Sequence, residues 1–277
     1  MGYLQVLGAV SIWAFFNGVL VKGIKTSGVG VGMWTGMVGV IFCLVWQDIE
    51  QVNFNNLGWL ILLGASAALN NSFNYTAIKI SIPVALLFHY IAPLLVVVWY
   101  LIFPIFYQPI SAKSFLAAAM GLIGVVYMAK PHLRAGNRKL VYLGMASAIC
   151  YSLEIVLSGY LSKELQVPAT TSSFAKLLSQ AMIMPIVGLG LKESSKISAT
   201  MDLPKILLGG LLLYISFNLY FAGSATVSDL DRGIIGYIDR IGAIALGAWF
   251  FKEERAKINK EVWVGGTLII GASLLIL

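Results

Sequence analysis

The feature that most constrains this chain is a succession of long apolar stretches with almost no charge inside them. Of 277 residues, 59% are hydrophobic and only 11% are charged, whereas about 25% of residues in an average soluble domain are charged. A helix of about 17 to 25 apolar residues is long enough to cross the hydrocarbon layer of a membrane. The sequence therefore predicts an all-α membrane protein with ten transmembrane helices, at 3–21, 29–46, 57–76, 82–106, 112–129, 138–161, 169–190, 204–223, 233–250 and 260–276. We expect a multi-pass integral protein of a plasma or inner membrane.

The net charge of +7 does not indicate nucleic-acid binding, because nearly all Lys and Arg residues lie in short loops between the apolar stretches. Cations in such loops orient a membrane protein, since they stay on the cytoplasmic side. The side that carries the N-terminus has three cations, Lys113, Lys163 and Arg232, and the other side has fourteen. This bias predicts that both termini lie outside the cytoplasm.

The chain also repeats itself. Three blocks recur 136, 144 and 147 positions later with their order kept: Leu7-Gly8 as Leu143-Gly144, Ser72-Phe73-Asn74 as Ser216-Phe217-Asn218, and Tyr90-Ile91 as Tyr237-Ile238, with Lys113 as Lys260 at the last offset. We therefore predict two repeats, 1–130 and 131–277, with no separate soluble domain. Each repeat has five spans, and an odd number of spans inserts the second copy upside down relative to the first. This arrangement of two inverted five-helix repeats is typical of carriers that bind substrate between the halves, near the middle of the membrane.

Four segments, two in each half of the chain, carry a resemblance to a known family. Residues 74–79 (NYTAIK) with 89–94 (HYIAPL), and residues 236–240 (GYIDR) with 264–271 (VGGTLIIG), resemble the EamA-type members of the drug/metabolite transporter superfamily. Members commonly have a Glu-Pro pair where this chain has Asp239 and Arg240. The resemblance implies a ten-helix carrier, often an exporter of amino acids or related metabolites. It also implies cytoplasmic termini, which is the opposite of the orientation that the loop charges predict.

Four charged residues lie well inside predicted spans: Glu154, Lys176, Asp239 and Arg240. A charge at mid-membrane costs roughly 2.5–3.5 kcal/mol on insertion scales, so such residues indicate a functional site. We expect a polar cavity in which the carboxylates hold an ammonium group or a proton and the cations hold a carboxylate or phosphate. The structural alternative is that Glu154 and Lys176 merely neutralise each other. Asp239 and Arg240 are adjacent, point about 100° apart on a helix and are expected to be poor partners.

Further candidates for the substrate site are polar or aromatic residues at similar depth. His89 is either a proton relay, given its ordinary pKa of about 6.5, or a neutral hydrogen-bonding residue. Pro93 is expected to kink the fourth helix. Five side chains in helices that also carry polar groups are expected to form the walls of the cavity: Asn74, Tyr90, Tyr237, Trp13 and Tyr151.

The sequence lacks a phosphate-binding glycine loop, a dinucleotide fingerprint and a metal-ligand spacing, so we predict no enzyme, no cofactor and no metal. The leading interpretation is a secondary active transporter that moves a small polar metabolite, an amino acid or similar compound, by alternating access. The expected direction is export. Its partners would be that substrate and a proton or counter-substrate, in a monomer or homodimer. The alternatives are a nucleotide-sugar or sugar-phosphate exchanger, and a membrane enzyme or scaffold that transports nothing.

Overall fold

The structure is a computed structural model that describes residues 1–46, 56–134, 138–194, 199–258 and 260–276. These residues form helices and connections, with no strand among them. We label the main helical segments in chain order: α1 Gly2–Gly23, α2 Gly28–Trp46, α3 Leu57–Ile80, α4 at 82–102, α5 Ala112–Arg134, α6 Arg138–Lys163, α7 Ala169–Leu191, α8 Ala199–Ser224, α9 Asp229–Phe250 and α10 Lys260–Ile276.

Six of these helices are long and apolar enough to cross a membrane: α1, α2, α6, α7, α8 and α9. Large side chains such as Leu101, Leu189 and Trp249 are about 80% exposed on the outside of the helix bundle. An apolar exterior is suited to lipid rather than water. The chain is thus compatible with a membrane-embedded protein, as the sequence predicts.

The fourth predicted span, 82–106, is not one continuous helix. It consists of Ile82–Leu87, a 3-10 turn at Phe88–Ile91, and Ala92–Ile102, followed by another 3-10 turn at Pro104–Phe106. Pro93 lies in the first turn of the segment that follows the break, where its missing N–H group needs no helical partner. The break lies beside Pro93, where the sequence predicts a kink. The last α-helical segment ends at Ile102, so the predicted end of the span at residue 106 is wrong.

Helix α1 contains a π-helical turn at Phe16–Leu20. A β-carbon on Gly18 would lie 2.6 Å from the carbonyl oxygen of Ala243 in α9. The absence of a side chain therefore lets the backbones of α1 and α9 approach closely. This approach places the widened turn, with Asn17, against the middle of α9.

Helix α9 begins four residues earlier than the predicted span 233–250. The Ser228 hydroxyl accepts a hydrogen bond from the backbone N–H of Asp231, which caps the helix. Asp229 and Asp231 in the first turn suit the positive end of the helix dipole. The extra turn takes Arg232 out of the loop to which the sequence assigns it and buries its side chain fully.

The main contacts between helices follow a pattern that is kept when each helix is exchanged with the one five positions away. Helix α3 packs on α6 and α7, and α8 packs correspondingly on α1 and α2. Helix α1 contacts α9, and the broken α4 contacts α6 in the same manner. Two pairs map onto themselves, α2 with α7 and α5 with α10. Buried amides contact buried carboxylates where α3 meets α6 and where α1 meets α9.

Candidate functional site

Two ion pairs lie in the interior of the bundle. Lys176 in α7 pairs with Glu154 in α6, and both side chains are at least 97% buried. Arg240 in α9 pairs with its neighbour Asp239 and is equally enclosed. The second pair corrects the expectation that these adjacent residues are poor partners. The Arg side chain is long enough to curl back, and an unpaired charge at this depth is far more unfavourable than a bent side chain.

An amide from the first half of the chain completes each pair. The Asn70 side chain donates to Glu154 Oε2 over 3.3 Å, and the Asn17 side chain donates to Asp239 Oδ1 over 3.2 Å. Each carboxylate is therefore held both by a cation of the second half and by an amide of the first. Asn17 reaches Asp239 because it lies on the π-helical turn of α1, and such turns are frequent at functional sites.

A hydrogen-bond chain fixes the tautomer of His89, which lies on the 3-10 turn of α4. The Ser147 hydroxyl donates to Asn70 Oδ1 over 2.8 Å and also bonds to His89 Nε2. A hydroxyl has one proton, so the Nε2–H group of His89 must be the donor to Ser147. His89 Nδ1 is then an acceptor, and it has no partner among the described residues.

Aromatic rings cover both cations. Lys176 Nζ lies 3.9 Å from the ring centre of Phe217 and 5.4 Å from that of Trp13. The Arg240 guanidinium lies 5.0 Å from the ring centre of Tyr151, which stacks on His89 at 5.2 Å. Cation–π contacts of this kind stabilise a desolvated cation.

These groups enclose a small chamber with a free volume of about 30 Å³, enough for about two water molecules. Lys176 and Arg240 line it, whereas Glu154 and Asp239 lie behind them. The remaining lining is rich in amides and rings: Trp13, Phe16, Asn17, Asn70, Asn71, Asn74, Tyr75, His89, Leu213 and Phe217. The chamber therefore presents two cations and several amides to whatever enters it.

Several polar atoms at the chamber have no partner in the part of the chain that the structure describes. They include Asn71 Nδ2, Asn74 Oδ1 and the Tyr151 hydroxyl. Buried polar groups in folded proteins are normally paired. These atoms can therefore satisfy their hydrogen bonds with a polar ligand or with water.

The structure brings most of the predicted site residues together. Five of them line the chamber: Trp13, Asn74, His89, Lys176 and Arg240. Tyr151 does not line it but lies against the rings and cations that do, His89 and Arg240. Tyr90 and Tyr237 lie outside the lining.

The hydroxyl of Tyr237 donates to the carbonyl oxygen of Tyr90 over 2.9 Å and so ties α9 to the break in α4.

Sequence reasoning did not select Tyr75, Ser147, Leu213 or Phe217 as site residues. Phe217 could have been found, because it lies in a repeated block whose first copy contains Asn74.

Polar contacts join the two halves of the chain toward both ends of the bundle. At the end that carries Tyr3, the Tyr3 and Ser114 hydroxyls donate to the Asp231 carboxylate over 3.0 and 2.6 Å. At the opposite end, Lys22 pairs with Glu254, and Glu254 Oε2 accepts the backbone N–H of Ile82 over 3.1 Å. The chamber itself is enclosed, since the residues that line it are buried.

The Tyr3 end also contains the buried Arg232. Its guanidinium donates to Asp229 over 2.5 Å and to the Ser158 hydroxyl over 2.7 Å. Lys163 lies 3.8 Å from the same Asp229 carboxylate. Two of the three cations that the sequence places in loops at this end therefore share the Asp229 carboxylate inside the fold.

Lys79 lies at the opposite end, beyond the predicted span 57–76. Its ammonium group donates to the carbonyl oxygens of Lys22 and Ile24. Partial burial lowers the pKa of Lys79 to about 8, because desolvation disfavours the charged form.

Comparison with known proteins shows that the fold is shared and indicates no activity. No protein-family model matches the chain, and no curated protein matches it. Among solved structures, 29 chains match. One of them, called "Crystal structure of protein", matches 99% of this chain and 96% of its own length, with a TM-score of 0.73 at 16% identity. The whole chain thus has a fold that occurs in solved proteins.

Proposed function

We propose that this chain is a secondary active transporter that binds a small polar metabolite in the chamber and moves it by alternating access. The observation that carries the proposal is an enclosed chamber, lined by Lys176 and Arg240, inside an apolar helix bundle. Buried charges in such a bundle mark substrate and ion pathways. The four central charges sum to zero when each pair is formed, so the empty carrier can rearrange without moving net charge.

The proposal includes ten spans in two inverted halves, 1–130 and 131–277, and membership of the EamA-type drug/metabolite transporters. The packing pattern supports the inverted halves, since exchanging each helix with the one five positions away preserves the main contacts. Polar contacts toward each end of the bundle also join one half to the other. Rocking of the halves would break one set while the other stays closed, which is the motion that alternating access requires.

The lining favours a substrate that carries an anionic group. Lys176 and Arg240 are among the residues that line the free space, whereas Glu154 and Asp239 are not. A carboxylate of an amino acid or related compound would accept hydrogen bonds from these cations and from the Asn amides. The chamber must widen to hold such a compound, because its free volume is only about 30 Å³. The rings of Trp13 and Phe217 would then contact the apolar part of the substrate.

A second candidate is exchange of a phosphate compound, such as a nucleotide sugar or sugar phosphate. The same two cations favour it, because Arg and Lys both bind phosphate. Counterflow in proteoliposomes separates the candidates. Exchange of a labelled sugar phosphate for an unlabelled one, with no amino-acid flux, would select the second candidate. A protein that moves no solute from a broad panel would instead be a membrane enzyme or scaffold.

The chamber itself is tested by a thermal-shift screen of the detergent-solubilised protein against amino acids, polyamines, nucleobases and sugar nucleotides. A ligand at about 100 times its Kd stabilises the folded state by about 2.7 kcal/mol. We expect Arg240→Gln to abolish the ligand-induced shift. The exposed Lys113→Gln, remote from the chamber, should leave it unchanged.

Arg240→Gln alone leaves the Asp239 carboxylate unpaired, so the double variant Asp239→Asn/Arg240→Gln is the matched test. It removes both charges and should fold, yet it should still lose the shift. A ligand-induced shift that survives in this double variant would exclude Arg240 from the site.

A further inference from the structure

A groove on the lipid-facing exterior, separate from the chamber, runs between α9 and α10. Its deep part has a volume of about 120 Å³ and is lined almost entirely by apolar groups, with Ile244, Val262 and Ile270 among them. Gly266 lies at its floor, and apart from its chain neighbours and the backbone of its own helix no described atom lies within 4 Å of the position that a β-carbon would take there. The groove is therefore an open space in an otherwise packed surface.

The deep part continues into a wider depression of about 740 Å³ toward the end that carries Lys22. Ala245, Ile258 and Trp263 line both. Trp249 and Arg255 stand at the mouth. The feature is thus an apolar channel whose outer end has an aromatic ring and a cation.

The Arg255 side chain is held at this mouth by the end of α9. Its Nε donates to the carbonyl oxygen of Ala248 over 3.1 Å, and one terminal nitrogen donates to that of Trp249 over 3.4 Å. These bonds satisfy carbonyl groups that a helix end leaves free. In the part of the chain that the structure describes, Arg255 has no carboxylate partner. The guanidinium is therefore fixed, charged and able to bind an anion.

The surroundings limit what can fill the groove. A membrane helix surface faces acyl chains, and water is excluded from that depth. An aromatic ring and an Arg side chain at the end of a span belong to the headgroup level. The same end of the molecule has the larger share of loop cations, which places it at the cytoplasmic leaflet, where anionic lipids are concentrated.

We propose that this groove binds an anionic phospholipid, with one acyl chain between α9 and α10 and the headgroup phosphate on Arg255. The proposal requires membrane embedding but not transport, so it stands or falls independently of the proposed function.

The test is native mass spectrometry of the delipidated, detergent-solubilised protein with added phosphatidylglycerol or phosphatidylcholine of identical acyl chains. The wild-type protein should retain phosphatidylglycerol in preference to phosphatidylcholine. Arg255→Gln should weaken phosphatidylglycerol binding about fivefold and leave phosphatidylcholine unchanged. Arg255→Lys should keep most of the preference, because the charge remains.

Two matched controls separate the groove from general effects. Lys252→Gln removes a charge from an exposed side chain at the same end and should leave lipid binding unchanged. Gly266→Leu fills the groove and should weaken binding of both lipids. Gly190→Leu adds the same side chain to another helical glycine with open space around it and should have no effect.

Three results would overturn the proposal. Equal loss in Arg255→Gln and Lys252→Gln would mean that surface charge in general attracts the lipid. Unchanged retention in a folded Gly266→Leu protein would mean that the groove is not occupied. A dimer that Gly266→Leu dissociates, with no change in bound lipid, would identify the groove as an interface between copies of the chain.

Discussion

At the scale of single residues, charge neutralisation dominates the interior. Glu154 and Asp239 each accept hydrogen bonds from one cation and one amide, and the cations lie against aromatic rings. Such a site is stable only while both members of a pair are present, because an isolated buried charge is strongly unfavourable. The same pairing leaves the cationic side chains as the groups that a ligand meets first.

Removing one partner of the Glu154–Lys176 pair should therefore destabilise the protein. We expect Lys176→Met to lower the free energy of unfolding by about 3 kcal/mol or more, measured by thermal unfolding in detergent. The double variant Glu154→Gln/Lys176→Met should recover much of this loss. Additive losses in the double variant would contradict the pairing, and Lys113→Met, which changes an exposed side chain, should have little effect.

The lowered pKa of Lys79 predicts a pH dependence of stability. Between pH 8 and about pH 10.5 the unfolded chain binds a proton that the folded chain has released, so stability rises with pH across this window. Below pH 8 both states are protonated and the contribution is constant. The melting temperature of the wild type relative to Lys79→Gln should thus increase from pH 7.5 to pH 9.5. A relative decrease would show that Lys79 is not buried.

At the scale of the helices, two irregular segments bring the site together. The π-helical turn of α1 presents Asn17 to Asp239, and the 3-10 turn of α4 presents His89 to Ser147. Regular helices would direct these polar side chains elsewhere. The freed backbone groups in both turns are sheltered within the bundle, where such irregularities are tolerated in membrane proteins.

The π-helical turn depends on the close approach of α1 and α9 at Gly18. We expect Gly18→Ala to destabilise the protein by about 1–3 kcal/mol, because its β-carbon would lie 2.6 Å from the Ala243 oxygen. Gly8→Ala, in the same helix, is the control, since its nearest new contact is at 3.4 Å. Thermal unfolding of both variants measures the difference. Equal stability of the two would mean that α1 and α9 are not in close contact at Gly18.

At the scale of the whole molecule, the two halves of the chain meet around an enclosed chamber. Asp231 joins them toward the Tyr3 end and Glu254 joins them toward the opposite end. Each carboxylate belongs to the second half and is bound by groups of the first. Opening either end requires the halves to separate there, which is why the proposed transport cycle is a movement of whole halves.

The proposed inverted arrangement predicts that equivalent repeat positions lie on opposite sides of the membrane. Lys113 and Lys260 are exposed residues at the first turns of α5 and α10. In a background without Cys43 and Cys150, an impermeant maleimide applied to intact cells should label Lys113→Cys but not Lys260→Cys. Detergent should make both reactive.

Labelling of only Lys260→Cys would reverse the orientation that the loop charges predict and keep the inversion. Labelling of both variants in intact cells would exclude the inverted halves.

Much of the fold could be predicted from hydropathy, because insertion into lipid depends on local apolar length. The break of α4 could likewise be predicted from Pro93 alone. Hydropathy does not predict the early start of α9, because the first turn of this helix is polar. The Ser228 cap nevertheless keeps that turn helical. Arg232 was assigned to a loop for the same reason, and its burial depends on Ser158 and Asp229 being brought to it by the fold.

The sequence by itself determined the apolar helices and the depth of the four central charges, since both follow from the order of residues along single segments. Only the tertiary structure decided which groups meet. Asn17 binds a carboxylate 222 positions away, and Arg240 turns back to its own neighbour instead of reaching a distant helix. The physical reason is that a side chain's burial is set by local hydropathy, whereas its partner is set by how closely the helix backbones approach.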